Sequence, residues 1–257
     1  MTADHGSAAR DRDVRLAGSA AIVTGGSRGI GRAVAEGLLR CGADVLVAGR
    51  SAGSLAAAAA ELAEVAGTST AGRIETVAAD VRRPADAQRL VDAAADRFGG
   101  LDILINNAGV GRFDAVADQP VDDWAQVIET NLSGVFYCCR AAIPLLRRRG
   151  GGWIINVSSL AGSHPFANGA AYCASKAGLD AFTAALMQEV RFDGIRVSVV
   201  APGSVGTAFA GSDDRHAAAP WKLTASDVAQ VVVDLLRHDP RSLPSRVEMR
   251  PSQPRKG

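Results

Sequence analysis

The chain has 257 residues, of which 47% are apolar, 21% charged and 5% aromatic, and its formal net charge is +1. That length suits one generous domain able to bury its core without disulfides or metals, and the apolar fraction excludes a disordered chain. A balance so near neutral argues against a nucleic-acid binder that works through a broad basic surface. Within this composition Tyr137 and Tyr172 are the only tyrosines, and Lys176, Lys222 and Lys256 the only lysines against 25 arginines. Chemistry through a tyrosine or a lysine has few candidates here.

Residues 1–15 form a polar stretch carrying Asp4, Asp11 and Asp13 and no apolar core. They are expected as a flexible tail rather than a signal peptide, with a single domain over 16–257. Short apolar runs then alternate with helical stretches. Ala20–Thr24 reads as a strand, followed by a glycine-rich turn and a helix to Arg40. Asp44–Ala48 is a second strand, with an Ala-rich helix over Leu55–Ala66. Arg73–Ala78 is a third, and the helix Pro84–Phe98 after it stops at Gly99-Gly100. Asp102–Asn106 is a fourth strand, leading into one long helix over Val121–Arg147 that Gly150–Gly152 ends. Trp153–Val157, a helix over Ala170–Asp193, Ile195–Val200, a helix near Ala225–Arg237 and a last strand near Arg246–Arg250 complete the order. Near-continuous apolar strands, each followed by a helix, mean a parallel sheet covered on both faces. The fold expected is α/β, a single doubly wound, Rossmann-type parallel sheet of about seven strands flanked by helices. Ligands of such sheets bind beyond the carboxyl ends of the strands, so the residues just after each strand are the ones to read.

After the first strand comes Thr24-Gly25-Gly26-Ser27-Arg28-Gly29-Ile30-Gly31. Glycines at 25, 29 and 31 allow a sharp turn and close approach of backbone to a pyrophosphate, and the helix N-terminus behind them offers free N–H groups. A purely structural turn needs the same residues, but this position between first strand and first helix favours a nucleotide. At the end of the second strand Gly49 stands where NAD-preferring sheets carry an acidic residue, and Arg50 follows it. With Arg28 nearby, two guanidinium groups and no carboxylate suit a 2′-phosphate, so NADP is expected ahead of NAD. Asp80 and Val81, after the third strand, are expected near the adenine. Asn107, Ala108 and Gly109, after the fourth, are expected to wall a flat ligand.

Ser158-Ser159 closes the fifth strand, and Tyr172 follows Ser159 by thirteen residues. Tyr172 and Lys176 stand at i, i+4 and share a helix face at a spacing of about 6 Å. A phenol normally titrates near pH ~10. A neighbouring ammonium is expected to lower that value toward the working range, and a serine hydroxyl to hold a substrate oxygen. That equipment moves one proton while a bound nicotinamide moves a hydride.

These motifs together resemble the short-chain dehydrogenase/reductase family, over roughly Leu16–Arg250. The matches are the T-G-x-x-x-G-I-G turn, Asn106–Gly109 (NNAG), Asn131 in Asn131-Leu132-Ser133-Gly134, Ser159, Tyr172 with Lys176, and Pro202–Thr207 (PGSVGT). The resemblance implies Tyr172 as general acid in reduction, with Lys176 binding the nicotinamide ribose and tuning the phenol. It implies Ser159 orienting the carbonyl and Asn131 holding a water that relays protons to Lys176. Pro202, Gly203, Val205 and Thr207 would cover the nicotinamide. It also implies a homodimer or homotetramer and a small carbonyl or alcohol substrate. Within the family the chain is similar to 3-oxoacyl-[acyl-carrier-protein] reductases. Its ending, Arg246–Pro251, lacks their D-G-G turn and looks closer to members acting on small hydroxy acids or alcohols. A sugar or other ketone substrate, an isomerase, epimerase or dehydratase, and a non-catalytic NADP-binding sensor or scaffold are the competing readings. A sensor would be expected to lose the tyrosine, lysine or serine, and all three stand.

The remaining features read plainly. The cysteines form no C-x-x-C pair and no zinc-like spacing with histidine, so no metal site is expected. They read as small buried hydrophobes of a reducing compartment. No apolar run nears the roughly 20 residues of a membrane span, and a cytoplasmic chain with neither membrane nor nucleic-acid partner is expected. Asn131-Leu132-Ser133 and Asn156-Val157-Ser158 match glycosylation sequons, a reading that fails without secretion. Arg147-Arg148-Arg149 is expected to serve the helix dipole. Ala208–Leu223 is expected to be a mobile substrate lid, sharing substrate choice with Ala161–Asn168.

Overall fold

A computed structural model describes residues 16–67, 71–207, 209 and 219–253. The expected tail, and residues 208 and 210–218 of the expected lid, lie outside the described residues. In chain order the elements are β1 (Ala20–Thr24), α1 (Gly29–Arg40), β2 (Asp44–Gly49), α2 (Ala52–Ala66), β3 (Ile74–Ala78), α3 (Pro84–Phe98), β4 (Ile103–Asn106), α4 (Val121–Ile128), α5 (Gly134–Arg148), β5 (Gly152–Val157), α6 (Ala170–Val190), β6 (Ile195–Pro202), α7 (Ala225–Leu236) and β7 (Arg246–Met249). The seven strands pair in the order β3-β2-β1-β4-β5-β6-β7, every pair parallel. The order reverses between β1 and β4, which opens a crevice at their carboxyl ends.

The strands alternate strictly. Ala21, Val23, Val45, Val47, Ile103, Ile105, Trp153 and Ile155 face one core with α1, α2 and α7. Ile22, Leu46, Leu104 and Ile154 face the other with α3, α5 and α6. Burial on both faces is why these runs are apolar at every position. The outermost strand β7 carries Arg246 and Glu248, both exposed, which suits an edge strand protected from further pairing.

Most element boundaries agree with the sequence expectation to within three residues, and three differences show local structure. The second helix starts at Ala52, not Leu55, because the Ser51 hydroxyl caps the Ser54 N–H. The expected single helix over Val121–Arg147 is interrupted by a π-helical turn over Glu129–Ser133. The fifth strand, β5, gains Gly152, whose φ of 151° and neighbouring Asp102 carbonyl, 2.5 Å from any added Cβ, exclude a side chain.

Cys138, Cys139 and Cys173 are buried and Cys41 is half-buried. Burial pushes the Cys138 thiol up to about 12 and the Cys139 thiol also upward, so both are inert core groups. The arginine run at the end of α5 does more than complement the helix dipole. Arg147 pairs with Asp193 at 2.7 Å and Arg149 with Asp102 at 3.0 Å, tying α5 to the loops before β6 and β4.

Candidate active site

Thr24, the last residue of β1, organises the crevice. Its hydroxyl accepts from the Asn107 and Ala108 N–H groups at 3.0 and 3.1 Å, and the Asn107 amide donates back to the Thr24 and Gly25 carbonyls at 3.0 and 3.1 Å. The ends of β1 and β4 are thus bolted together. Gly25 takes φ +64°, and a Cβ there would stand 2.8 Å from the Ala108 backbone, so only glycine fits. The turn delivers the chain to α1, whose cap residue Arg28 offers no side-chain acceptor and whose first turn holds no acid. Its leading N–H groups are left for an anion.

A cavity of about 630 Å³ runs along the carboxyl edge of the sheet. Gly25, Ser27, Arg28, Gly29 and Ile30 line it from the glycine turn, Arg50 from the end of β2, and Asp80 and Val81 from the end of β3. Asn107, Ala108 and Gly109 line it after β4; Pro202, Gly203, Val205 and Thr207 after β6. Ser159, Tyr172 and Lys176 meet at the end away from Arg50 and Asp80. Two expected site residues do not line it. Gly31 packs under the turn against Asn107 and the Gly25 carbonyl. Asn131 is fully buried: its Oδ1 accepts from the Val110 N–H at 2.9 Å, and its amide donates to the Val110 carbonyl at 2.9 Å and Ser175 Oγ at 3.0 Å. Ser175 in turn donates to the Tyr172 carbonyl at 2.7 Å. With its side chain spent in this way, Asn131 locks the loop after β4 to the turn of α6 that carries Tyr172.

A second buried chain of amides was not legible as such in the sequence. Asn106 donates to Asn156 at 2.9 Å, Asn156 to Thr183 at 2.8 Å, and Thr183 to the Leu179 carbonyl at 2.6 Å. It pins α6 across β4 and β5. Because Asn131 and Asn156 are both fully buried, neither sequon is an accessible acceptor.

The catalytic-end electrostatics depart from expectation. Burial pushes the Tyr172 phenol upward, and donation from the Ser159 hydroxyl pulls against that rise. Lys176 is not among the groups that lower it: the ammonium lies 5.8 Å from the Tyr172 ring centre and donates to the Val157 carbonyl at 2.9 Å. Burial pushes Lys176 itself down to about 8, against the opposing pull of Asp180 one turn on. The Ser159 oxygen also accepts from the Ala161 N–H at 3.2 Å, which fixes the hydroxyl at the strand end.

Asp80, expected at the adenine, spends both carboxylate oxygens on Arg82, at 2.6 to 3.0 Å. That bond, with help from Arg50, holds its carboxyl below the usual range. Residues the sequence reading missed also line the cavity, among them Arg32 and Glu36 on the second turn of α1 and Val110. Helical spacing from Arg28 was the available signal for Arg32. Phe113 and Phe209 flank Tyr172 and Phe166 packs on Phe113; of the three, Phe166 and Phe209 fall in the segments expected to choose substrate. Among the described residues no group of acidic, histidine or cysteine side chains could hold a metal ion, and no helix is long and apolar enough to cross a membrane.

Comparison with known proteins agrees with this architecture. The family model described as short chain dehydrogenase matches residues 19–218. A 3-oxoacyl-[acyl-carrier-protein] reductase of Synechocystis is 38% identical over 75% of this chain and 76% of its own length. A D-beta-hydroxybutyrate dehydrogenase of Rhizobium meliloti is 38% identical over 73% of this chain and 71% of its own. The alcohol dehydrogenase of the archaeon Thermococcus sibiricus, solved with 5-hydroxy-NADP, superposes with a TM-score of 0.84 at 27% identity, covering 93% of this chain and 99% of that one. The family match over most of the chain and the likeness to these relatives show that the chain belongs to the short-chain dehydrogenase family and is a nicotinamide-dependent oxidoreductase.

Proposed function

We propose that the protein is an NADP-dependent reductase of a ketone, working in reverse as a secondary-alcohol dehydrogenase. The observation that carries the reading is the convergence of Ser159, Tyr172 and Lys176 on one end of a cavity whose other end holds Arg28 and Arg50 without an acidic residue after β2. The residues present fit a dinucleotide: the glycine cradle at Gly25 would be filled by any Cβ, and the uncapped start of α1 faces the pyrophosphate position. Arg28 and Arg50 suit the 2′-phosphate. The 5-hydroxy-NADP seen in the Thermococcus enzyme supports the same preference.

When bound, the nicotinamide supplies the hydride and the substrate carbonyl carbon accepts it. The chain supplies the proton and the geometry. Tyr172 donates its phenolic proton to the carbonyl oxygen, and Ser159 donates a hydrogen bond to the same oxygen as charge develops on it. The buried ammonium of Lys176, held on the Val157 carbonyl, is placed to hold the ribose hydroxyls. In oxidation the phenolate takes the proton back. Asn131 acts here as a positioning residue, through Val110 and Ser175. The homo-oligomer implied by the family belongs to this reading and is supported by the exposed apolar side chains Val121, Trp124 and Phe136 on α4 and α5. A 3-oxoacyl thioester and a small hydroxy acid are the substrate classes of the two bacterial relatives' names.

The test is NADPH oxidation followed at 340 nm with ketones, 3-oxoacyl thioesters and sugars, in the parent and in Tyr172→Phe. Turnover is expected to fall by about 10³-fold or more, as for loss of a proton donor at the upper end of general-acid effects, while NADPH affinity stays within about twofold. Retained turnover in Tyr172→Phe would refute the mechanism, and better service from NADH than NADPH would refute the cofactor reading.

A further inference from the structure

We infer that the Tyr172 end of the cavity, lined by Phe209 with Phe113 and Phe166 beside it, is built to grip an aryl ketone or the corresponding aryl secondary alcohol. The inference rests on the oxidoreductase reading above and adds the substrate class to it.

Phe113 and Phe209 meet the Tyr172 ring and Phe166 packs on Phe113, the three coming from separate loops. Phe113 lies edge-on to it at 5.7 Å and 74°, Phe209 at 5.6 Å and 57°, and Phe166 packs on Phe113 at 5.8 Å. They are 42%, 36% and 49% exposed respectively, so they cover no core. The chain holds seven phenylalanines, and gathering three of them, half-bare, beside the reacting phenol leaves apolar area that a bound molecule would bury. Glycines let these rings lie flat on the chain. A Cβ at Gly111 would stand 2.8 Å from Phe209 and 2.9 Å from Phe113, and one at Gly169 would stand 2.5 Å from Phe166. In the Phe166 turn Asn168 takes φ 63°, a left-handed conformation that asparagine tolerates. The rings are therefore placed before a ligand arrives.

The charged groups near that end are engaged elsewhere. Arg112 pairs with Asp123 at 3.3 Å and donates to the Gly111 carbonyl at 3.2 Å. His164 contacts Ser163 at 3.0 Å and Arg250 at 3.4 Å. Lys176 donates to Val157. The arginines that line the cavity, Arg28, Arg32 and Arg50, belong to the glycine turn, the second turn of α1 and the end of β2. The cation beside Tyr172 is Lys176, buried and held on the Val157 carbonyl, so a short keto acid gains little for its carboxylate there, whereas an aryl group finds edge-to-face and tilted partners.

The experiment compares acetophenone, 2-butanone and acetoacetate as substrates of the full chain with NADPH, in the parent, Phe113→Ala and Phe166→Ala. Beside it, isothermal titration of 1-phenylethanol into the chain loaded with NADPH reads binding in a dead-end complex that cannot react. Acetophenone is expected to show the highest kcat/KM, and each alanine variant to raise its KM and weaken 1-phenylethanol binding by about tenfold, with 2-butanone within about twofold of the parent. Unchanged circular dichroism and NADPH affinity separate this from misfolding. Turnover of 2-butanone or acetoacetate at least equal to that of acetophenone, or insensitivity of 1-phenylethanol binding to both variants, would overturn the aryl assignment and leave the reductase standing. Phenylalanine-dependent binding of 1-phenylethanol without turnover of any carbonyl would support the aryl site and overturn the reductase reading. Absence of both turnover and binding would overturn the two together.

Discussion

Lys176 shows how much one buried side chain can decide. Its ammonium is enclosed beside Tyr172 and pushed down to about 8 by burial, whereas the unfolded chain protonates a lysine up to about 10.4. The folded chain consequently holds fewer protons than the unfolded one between those two values, so stability rises with pH across that window and the charged lysine costs the fold most below pH ~8. At about 1.36 kcal/mol per pK unit that cost is of order 3 kcal/mol, from which loss of the bond to Val157 subtracts about 1 kcal/mol. Lys176→Met is therefore expected to abolish reduction and yet raise stability at pH 7 by about 1–3 kcal/mol, with the gain shrinking from pH ~8 to ~10.5. Urea melts at pH 7 and pH 10 check both sign and trend; a variant less stable than the parent at pH 7 contradicts the account. The spacing of Tyr172 and Lys176 was legible because a helix period is local. The Val157 carbonyl that holds Lys176, and the burial that sets the direction of both titrations, were not, since they depend on β5 running beside α6.

At the scale of elements, the π turn between α4 and α5 is the feature that pattern reading misses. Apolar periodicity runs smoothly enough through Val121–Arg147 to suggest one helix, and a single wide turn shifts it only slightly. That turn carries Asn131, whose amide closes on Val110 and Ser175. Removing it strips the half-buried Val110 N–H and carbonyl of their side-chain partners and breaks the bond to Ser175, at about 1 kcal/mol per lost bond. Asn131→Ala is expected to lose at least about 2 kcal/mol of stability and to weaken NADPH binding through Gly109. Asn131→Asp is expected to restore the bond from the Val110 N–H but not the donation to its carbonyl, and to fall between the two. Thermal melts with and without NADPH distinguish these outcomes, and an alanine variant as stable as the parent would rule the positioning role out. The Asn106–Asn156–Thr183 chain is of the same kind. Each residue sits inside an apolar run, and only the alignment of β4, β5 and α6 turns three isolated polar residues into one network.

For the whole molecule, the cavity lies where β1 and β4 diverge and touches the ends of β1 to β6. A ligand there bridges both halves of the sheet, so binding adds to global stability rather than to one loop. At a hundred times its Kd a ligand specific for the folded state adds about 2.7 kcal/mol, or roughly 5–10 °C in Tm for a domain of this size. NADPH is expected to give that shift, and NADH at the same concentration a clearly smaller one; equal shifts would remove the case for Arg28 and Arg50 as 2′-phosphate ligands.

The strands themselves, the glycine turn and the Tyr172–Lys176 pair were readable because each is written in short-range pattern: apolar runs, a turn that only glycine can make, and an i, i+4 spacing. Two tyrosines and three lysines in the whole chain narrowed the catalyst before any coordinates, and spacing named Tyr172 and Lys176. Tertiary structure decided what those residues meet. It spent Asp80 on Arg82 and Asn131 on Val110, turned an arginine run into ties to Asp193 and Asp102, and brought Phe113, Phe166 and Phe209 beside one phenol. Those outcomes depend on which loops converge at the carboxyl edge of the sheet, and residues far apart along the chain carry no mutual pattern until the sheet sets them side by side.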